Sequence, residues 1–431
     1  MRVLVIGNGG REHAICWKLR QSPLVREIYC APGNAGIASV ADRVPIGTSD
    51  IVELADFAQN LRMDLTIVGS ELPLTLGIVD EFIKRGLPVF GPTRLAAELE
   101  GSKAFSKDFM RRYGIPTAEA TVCSSLSEAE AAIGKSALPL VIKVDGLASG
   151  KGVFIHRTAE EALGTVRDIY LHRKFGNAAD RVLIEEYLEG EEVSFMAVTD
   201  GRRVVPFAPA KDYKKAFEDD LGPNTGGMGA HSPAVVMSTE VAAEVMKTIV
   251  IPSVQGMEKE GRLYSGCLFV GLMLTAAGPK VLEYNCRFGD PETQVQLLRL
   301  EDDLAELCLD VARGNLGERR LVWKKEAAAC VVVTAREYPG EVVRGLEVTL
   351  DPVDDPSIVL FHSGTEMKDG KLVNIAGRVV SACAHAPTLT EALSKAYAAA
   401  AGVRFEGARF RADIGKRALE MLSQKADSSQ G

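Results

Sequence analysis

Apolar and polar positions follow two different periods along this chain. RVLVIG (2–7) is an unbroken apolar run of strand length, and residues 11–21 after it carry apolar positions at helical spacing. VREIYCAP (25–32) predicts a second strand, DIVELADFAQNLR (50–62) an amphipathic helix, and LTIVGS (65–70) and LPVFGP (87–92) two more strands. Strands alternating with helices predict a parallel, doubly wound α/β sheet over residues 1–100.

The texture changes from about residue 102. SKAFSKDFMRRYG (102–114) predicts a helix ended by glycine. PLVIKV (139–144), GVFIH (152–156), RVLIEEYL (181–188) and VSFMAV (193–198) predict strands, with a helix over 158–171, an α+β pattern of near connections. Residues 206–230 lack apolar periodicity and are rich in charge and glycine, so a long functional loop is expected there. A helix over 240–261, a hairpin over 268–285 with Gly278 and Pro279 in its turn, and a helix over 293–313 follow. The last third is strand-rich again, in AACVVVTA, SIVLFHSG and NIAGRVVSACAH. A helix over 388–402 and a tail, SQKADSSQG, expected to fray, complete it. No internal repeat is visible.

A chain of 431 residues suggests about three domains. The net charge of −8, without a basic cluster, argues against a nucleic-acid partner. No apolar run reaches the length that crosses a bilayer, and MRVLVIGNGG reads as a first strand, not as a signal peptide. The eight cysteines form no CxxC pair and no zinc spacing with histidine. Buried thiols in a reducing cytoplasm are the expectation.

Several stretches carry candidate chemistry. IKVDGLASGKGV (142–153) invites comparison with a P-loop. Gly146 and Gly150 are separated by three residues, Gly152 replaces the hydroxyl residue after Lys151, and a strand-like VFIHR follows, so that reading fails. A strand lysine, Lys143, and a glycine-rich tip remain, and they read as a lid over phosphates. GNGGREHA (7–14) has Glu12 where a dinucleotide fingerprint needs glycine, and the second strand ends YCAPGN without an acid, which argues against NAD. Free amides at a helix start still suit a phosphate, and the alternative is a tight turn without a ligand. APGNAG (31–36) is a second such loop on the same sheet edge. IEEYLEGEE (184–192) gathers carboxylates around a hinge, or is simply a solvated acidic turn. In VLEYNCRFGDPETQ (281–294), Glu283, Asn285 and Arg287 alternate and so share one strand face. A carboxylate and an amide suit Mg²⁺, and a guanidinium can fork onto a phosphoryl group.

In this order, the strand lysine, glycine flap, E-x-x-L hinge and E-x-N-x-R strand resemble the ATP-grasp superfamily. GNGGREHA, APGNAG, EGSKAFSKDF, DGLASGKGV, GPNTGGMGA and EYNCRFGDPETQ resemble the glycinamide ribonucleotide synthetases (phosphoribosylamine–glycine ligases) of purine biosynthesis, from Met1 to about residue 420. The resemblance implies a Rossmann-like domain over 1–101 binding phosphoribosylamine, an ATP-grasp domain over 102–325 with a lid subdomain at about 120–192, and a strand-rich α+β domain over 326–431. It implies a cytoplasmic enzyme, monomeric or a small homo-oligomer. This enzyme joins glycine to 5-phosphoribosylamine with ATP and Mg²⁺ or Mn²⁺, through glycyl phosphate. Another ATP-grasp ligase or carboxylase acting on a ribonucleotide is the alternative.

By position, Lys103 and Lys143 would contact phosphates under a flap of Gly150, Lys151 and Gly152. Glu185, Glu186 and the backbone of Leu188 would hold adenine, and Glu192 the ribose. Glu283 and Asn285 would bind the metal. Gly9, Gly10, Asn34, Gly36, Glu71, Asn224, Gly226 and Gly227 would bind substrates. Arg287, Lys143, Asp212 and Asp290 would serve catalysis. The chain departs from the family pattern at Tyr213, where histidine is usual, at His231, where an aromatic residue is usual, and at Ser70, where proline is common. FVGLML also lacks the acid that many ATP-grasp enzymes carry before the metal-binding glutamate, so a second metal shell lacks that ligand.

Overall fold

The computed structural model describes residues 1–147, 152–172, 176 and 180–428. Strands β1 (Arg2–Gly7), β2 (Glu27–Pro32), β3 (Asp42–Arg43), β4 (Leu65–Val68) and β5 (Val89–Phe90) form an all-parallel sheet in the order β3-β2-β1-β4-β5. Strand order reverses between β1 and β4, so a crevice opens beyond their carboxyl ends, where open α/β sheets take ligands. Arg11, on the helix Gly10–Leu19 after β1, and Glu71, which opens the helix Glu71–Leu76 after β4, stand at that crevice.

Two antiparallel sheets follow. β6 (Ala120–Cys123), β7 (Leu140–Val144), β8 (Val153–His156) and β9 (Val182–Glu186) pair in the order β6-β9-β7-β8. With the helices Leu126–Ile133 and Ala159–His172 they bury a small core of their own, including Ile133, Ile142, Val166 and Ile184. β10 (Glu191–Thr199), β11 (Val204–Pro206), β16 (Gly266–Thr275) and β17 (Gly278–Asn285) form the other sheet, in the order β11-β10-β16-β17. Its apolar face, with Phe195, Leu268 and Val270, shares one core with Leu4, Ile6 and Val68 of the parallel sheet. That common core fixes the end of β17 against the crevice.

A third antiparallel sheet combines distant parts of the chain. β12 (Lys211–Asp212) and β15 (Gly229–Ser232) join β18 (Ala327–Thr334), β20 (Ile358–His362) and β23 (Arg378–Ala386) in the order β12-β15-β18-β23-β20. The helix Leu389–Ala401 covers it, capped at Thr388 by a reciprocal pair with Glu391. The remaining pairs are short: β13 (Lys215–Phe217) with β14 (Leu221–Asn224), β19 (Thr349–Leu350) with β24 (Val403–Arg404), and β21 (Thr365–Lys368) with β22 (Lys371–Asn374).

Four expectations from the sequence need correction. Residues 206–230 are not an irregular loop, because β12, β15 and the β13–β14 hairpin occupy them. These strands are two to four residues long, too short for a period to show. The helix expected over 293–313 is two helices, Glu292–Arg299 and Leu304–Ala312. Leu300 leaves the helical conformation, and the Asp303 side chain accepts the backbone N–H groups of Ala305 and Glu306 and starts the second helix. The hairpin turn is Ala276–Ala277, with Thr275 and Gly278 paired across it, so Gly278 and Pro279 open β17. The tail expected to fray after residue 422 is helical as far as it is described, within the helix Lys416–Ser428. All eight cysteines are buried and free. No helix among the described residues is long and apolar enough to cross a membrane.

Candidate active site

The crevice deepens into a cavity of about 410 Å³ between the ends of β1, β4 and β17, the loop at 225–227 and the start of the helix Lys103–Arg112. Glu283 and Asn285 alternate on β17 and both face it. Arg287 lies just beyond the strand and still faces the same space. Lys103, Lys143 and Lys214 stand around Glu283. Burial works against ionisation of Glu283, and Lys214, Lys143, Lys103 and Arg287 outweigh it, holding its carboxyl below the usual range. Lys214 is the hub: its Nζ donates to Glu192 Oε1 at 2.7 Å and lies 3.8 Å from Glu283 and 4.0 Å from Asp212. Burial alone would depress the Lys214 pKa, but Glu192, Glu283 and Asp212 raise it well above normal.

Lysines gather around a glutamate at one end of the cavity, and aspartates with cationic partners at the other. Lys143 Nζ donates to the Leu282 carbonyl at 2.9 Å and sits 3.0 Å from Glu185, and Lys107 lies 3.2 Å from the same carboxylate oxygen. Burial lowers the Lys107 pKa to about 8 although Glu185 opposes it. Lys103 donates to the Gly146 carbonyl at 2.8 Å. At the other end, Asp212 is pushed up by burial and then by the nearby Glu292, and its Oδ1 is buried without a hydrogen-bond partner. Asp290 is kept ionised against burial by Arg378 and Arg11. Gly227 has φ +114, and a Cβ there would lie 2.4 Å from Pro291 and 3.0 Å from Asp212 Oδ1, so only glycine lets this loop lie so close.

The donor set fits a triphosphate and its Mg²⁺. Glu283 and Asn285 offer hard oxygens, the lysines offer counter-charge, and the second oxygen of Glu185 and Oδ1 of Asp212 are bare, buried acceptors.

The phosphoribosylglycinamide synthetase family models match as its N domain over residues 1–100, its ATP-grasp (A) domain over 101–293 and its C domain over 328–417. A phosphoribosylamine–glycine ligase of Salmonella typhi is 48% identical over 427 residues, 97% of this chain and 99% of its own length. This chain belongs to the phosphoribosylglycinamide synthetase family. A phosphoribosylamine–glycine ligase of Pasteurella multocida is 46% identical over 97% of this chain and 98% of its own. The crystal structure of the Thermotoga maritima phosphoribosylamine–glycine ligase superposes with a TM-score of 0.84 at 35% identity, over 96% of this chain and all of that one. A Campylobacter jejuni biotin carboxylase, 13% identical, superposes at 0.74 over 95% of this chain and 92% of its own, which shows the fold alone. The resemblance seen in the glycine loops and at the end of β17 holds, and so does the multidomain α/β architecture with an ATP-grasp centre.

This synthetase brings together Lys103, Lys143, Glu185, Asp212, Gly226, Glu283, Asn285, Arg287, Asp290 and Glu71 around the first cavity. Glu192 and Asn224 face a second one of about 610 Å³, which Asp212 and Lys214 also border. Other expected site residues stand apart. The buried Asn34 side chain donates to the carbonyls of Asn8 and His362 at 2.9 and 2.8 Å and accepts the N–H groups of Gly36 and Ile37. A Cβ on Gly36 would lie 2.4 Å from the His362 ring, and one on Gly10 would lie 2.7 Å from Gln294 and Ser363. Asn34, Gly36 and Gly10 therefore clamp the first sheet to the third and do not line the cavity. Gly9 lies beside Asp290, which lines the cavity: a Cβ on Gly9 would approach Asp290 Oδ2 at 3.3 Å. Glu186 is exposed and paired with Lys280 at 2.9 Å, Leu188 is buried outside both cavities, and Gly152 closes the β7–β8 turn through its carbonyl to Val144 N–H. Gly150 and Lys151 lie outside the described residues.

Sequence reasoning missed Arg11, Glu100, Lys107, Lys214 and Arg378. Arg378 donates to the carbonyls of Gly226 and Asp290 at 2.7 and 2.8 Å, and Tyr338 Oη accepts the Gly226 N–H at 2.8 Å. A lone arginine opening an apolar strand reads as a solvated edge, so nothing local marked Arg378. Arg11, within GNGGREHA, and Glu100 and Lys107, within EGSKAFSKDF, lay inside motifs already singled out.

Proposed function

We propose that this protein ligates glycine to 5-phosphoribosylamine at the expense of ATP, giving glycinamide ribonucleotide, ADP and phosphate. Membership of the family supports the overall reaction. The observation that carries the site is the end of β17, where Glu283, held as a carboxylate by three lysines and Arg287, shares one face with Asn285.

Glycine's carboxylate is a poor electrophile, because oxide is no leaving group. A carboxylate oxygen attacks the γ-phosphorus, the bond to ADP breaks, and glycyl phosphate forms. The amine of phosphoribosylamine then attacks the carbonyl carbon and phosphate leaves. Bringing a carboxylate to a triphosphate opposes two anions, so the main work is electrostatic. Lys103 and Lys143 hold phosphates, and Arg287 faces the transferred phosphoryl. Glu283 and Asn285 would hold Mg²⁺, which neutralises charge developing on phosphate oxygens. Asp212 Oδ1 offers an acceptor to a substrate N–H. Phosphoribosylamine lies where Gly9, Arg11 and Arg378 meet around Asp290. In this division residues 1–101 serve phosphoribosylamine, 102–325 serve ATP, and the C-terminal unit reaches in through Arg378.

The test is ADP release with phosphoribosylamine generated in situ. Release that needs both glycine and phosphoribosylamine is expected. Release supported equally by bicarbonate or formate in place of glycine would favour a carboxylase or formyl-transfer chemistry on the same fold.

A further inference from the structure

Arg287 is held by two carboxylates from different parts of the chain. Glu71 Oε2 lies 3.4 Å from its Nε, and Glu100 Oε1 lies 3.3 Å from its Nη2. Both distances exceed the ~2.7–2.9 Å of a tight charge-assisted bond, so the guanidinium is steered and keeps donor capacity for an incoming anion. The two carboxylates are not equivalent. Glu71 is 29% exposed at the crevice, whereas Glu100 is only 8% exposed on the short helix Glu98–Gly101, where residues 1–100 meet the ATP-grasp unit. The other Glu100 oxygen accepts the backbone N–H of Cys286 at 2.7 Å. One carboxylate thus grips the chain immediately before Arg287 and the head group of Arg287 itself.

We propose that Glu100 is a positioning residue for this reaction, fixing Arg287 where the transferred phosphoryl group arrives, while Glu71 is an exchangeable counter-ion. This rests on the assignment of Arg287 to the phosphoryl group. Glu100 touches no substrate; it acts through Arg287. A guanidinium misplaced by even 1 Å loses its alignment with the reacting phosphorus while ATP still binds through the lysines.

Glu100→Gln is the informative variant. Its amide oxygen can still accept the Cys286 N–H, but its NH₂ group then opposes the guanidinium donors. Turnover by ADP release, KM for ATP and thermal midpoint are measured for E100Q, R287A and the double variant. The expected result is a kcat lowered roughly 10- to 100-fold in E100Q, below the ~10²- to 10³-fold loss of a whole stabilising donor, with KM for ATP within about threefold of normal. The double variant should be no slower than R287A, because both substitutions remove the same interaction. A merely structural Glu100 would lower the thermal midpoint and leave the kcat of the folded enzyme near normal, which overturns the proposal, as would losses that multiply in the double variant. Near-normal turnover of R287A itself would instead overturn the assignment of Arg287.

Discussion

The end of β17 and the glycine–asparagine loop after β2 are both polar segments at the ends of strands, and their polar atoms meet opposite fates. At β17 the polar groups remain open: Glu283 and Asn285 face the cavity, and one acceptor each of the nearby Asp212 and Glu185 lacks a partner. In the loop the amide group of the Asn34 side chain is already bonded within the protein, to Asn8, Gly36, Ile37 and His362. A polar motif marks a binding site when its hydrogen-bonding capacity is left over after folding, and a clamp when folding uses it.

That contrast can be broken most forcefully at Glu283. Glu283→Gln keeps shape and hydrogen bonding but removes the charge that the three lysines stabilise. Turnover at saturating Mg²⁺ should fall by roughly 10³-fold, the upper scale for one preorganised electrostatic group, while the denaturation midpoint barely moves. Near-normal rates at low Mg²⁺ would remove Glu283 from the metal site. A smaller effect of the opposite kind belongs to Asn34. Asn34→Ala leaves several buried backbone groups without partners and should cost roughly 2–4 kcal/mol in urea unfolding. Turnover per folded molecule should stay close to normal. Lost turnover with intact stability would return Asn34 to the substrate site.

The smallest effect is acid sensitivity of the same clamp. His362 donates its backbone N–H to His13 Nδ1 at 2.9 Å, and burial lowers the two imidazole pKa values to about 4 and about 3, with His362 also lowering His13. The unfolded chain, with histidine near ~6.5, binds more protons than the folded one below that pH. Stability from these groups is complete above pH ~6.5 and declines as pH falls toward the folded values. The loss from pH 6.5 to 5.5 should be on the order of 2 kcal/mol for the two imidazoles together by urea midpoints, and His362→Gln should roughly halve it. Parallel pH curves for the two proteins would contradict the burial argument.

The sequence made some of this legible and hid the rest for physical reasons. Long periodic elements such as RVLVIG and the helix at 388–402 stand close to where the pattern placed them, because burial of one face enforces the period. The alternation of Glu283, Asn285 and Arg287 survived even though β17 ends at Asn285. The short strands between 211 and 232 were illegible, since β15 is held by β18 from the C-terminal third and β12 in turn by β15. Arg378 and Tyr338 were invisible for the same reason: their role exists only after two distant segments meet. Asn34 and Gly36 were ambiguous in the sequence because a glycine loop after a strand serves close packing and phosphate binding equally well.

The central claim is that this site activates glycine's carboxylate as an acyl phosphate. Glycine labelled with ¹⁸O in both carboxylate oxygens, turned over with ATP and phosphoribosylamine, tests it directly. The account predicts that the released phosphate carries one ¹⁸O per molecule, because the oxygen bonded to phosphorus leaves with it. Unlabelled phosphate, formed while glycinamide ribonucleotide accumulates at the normal rate, would contradict it.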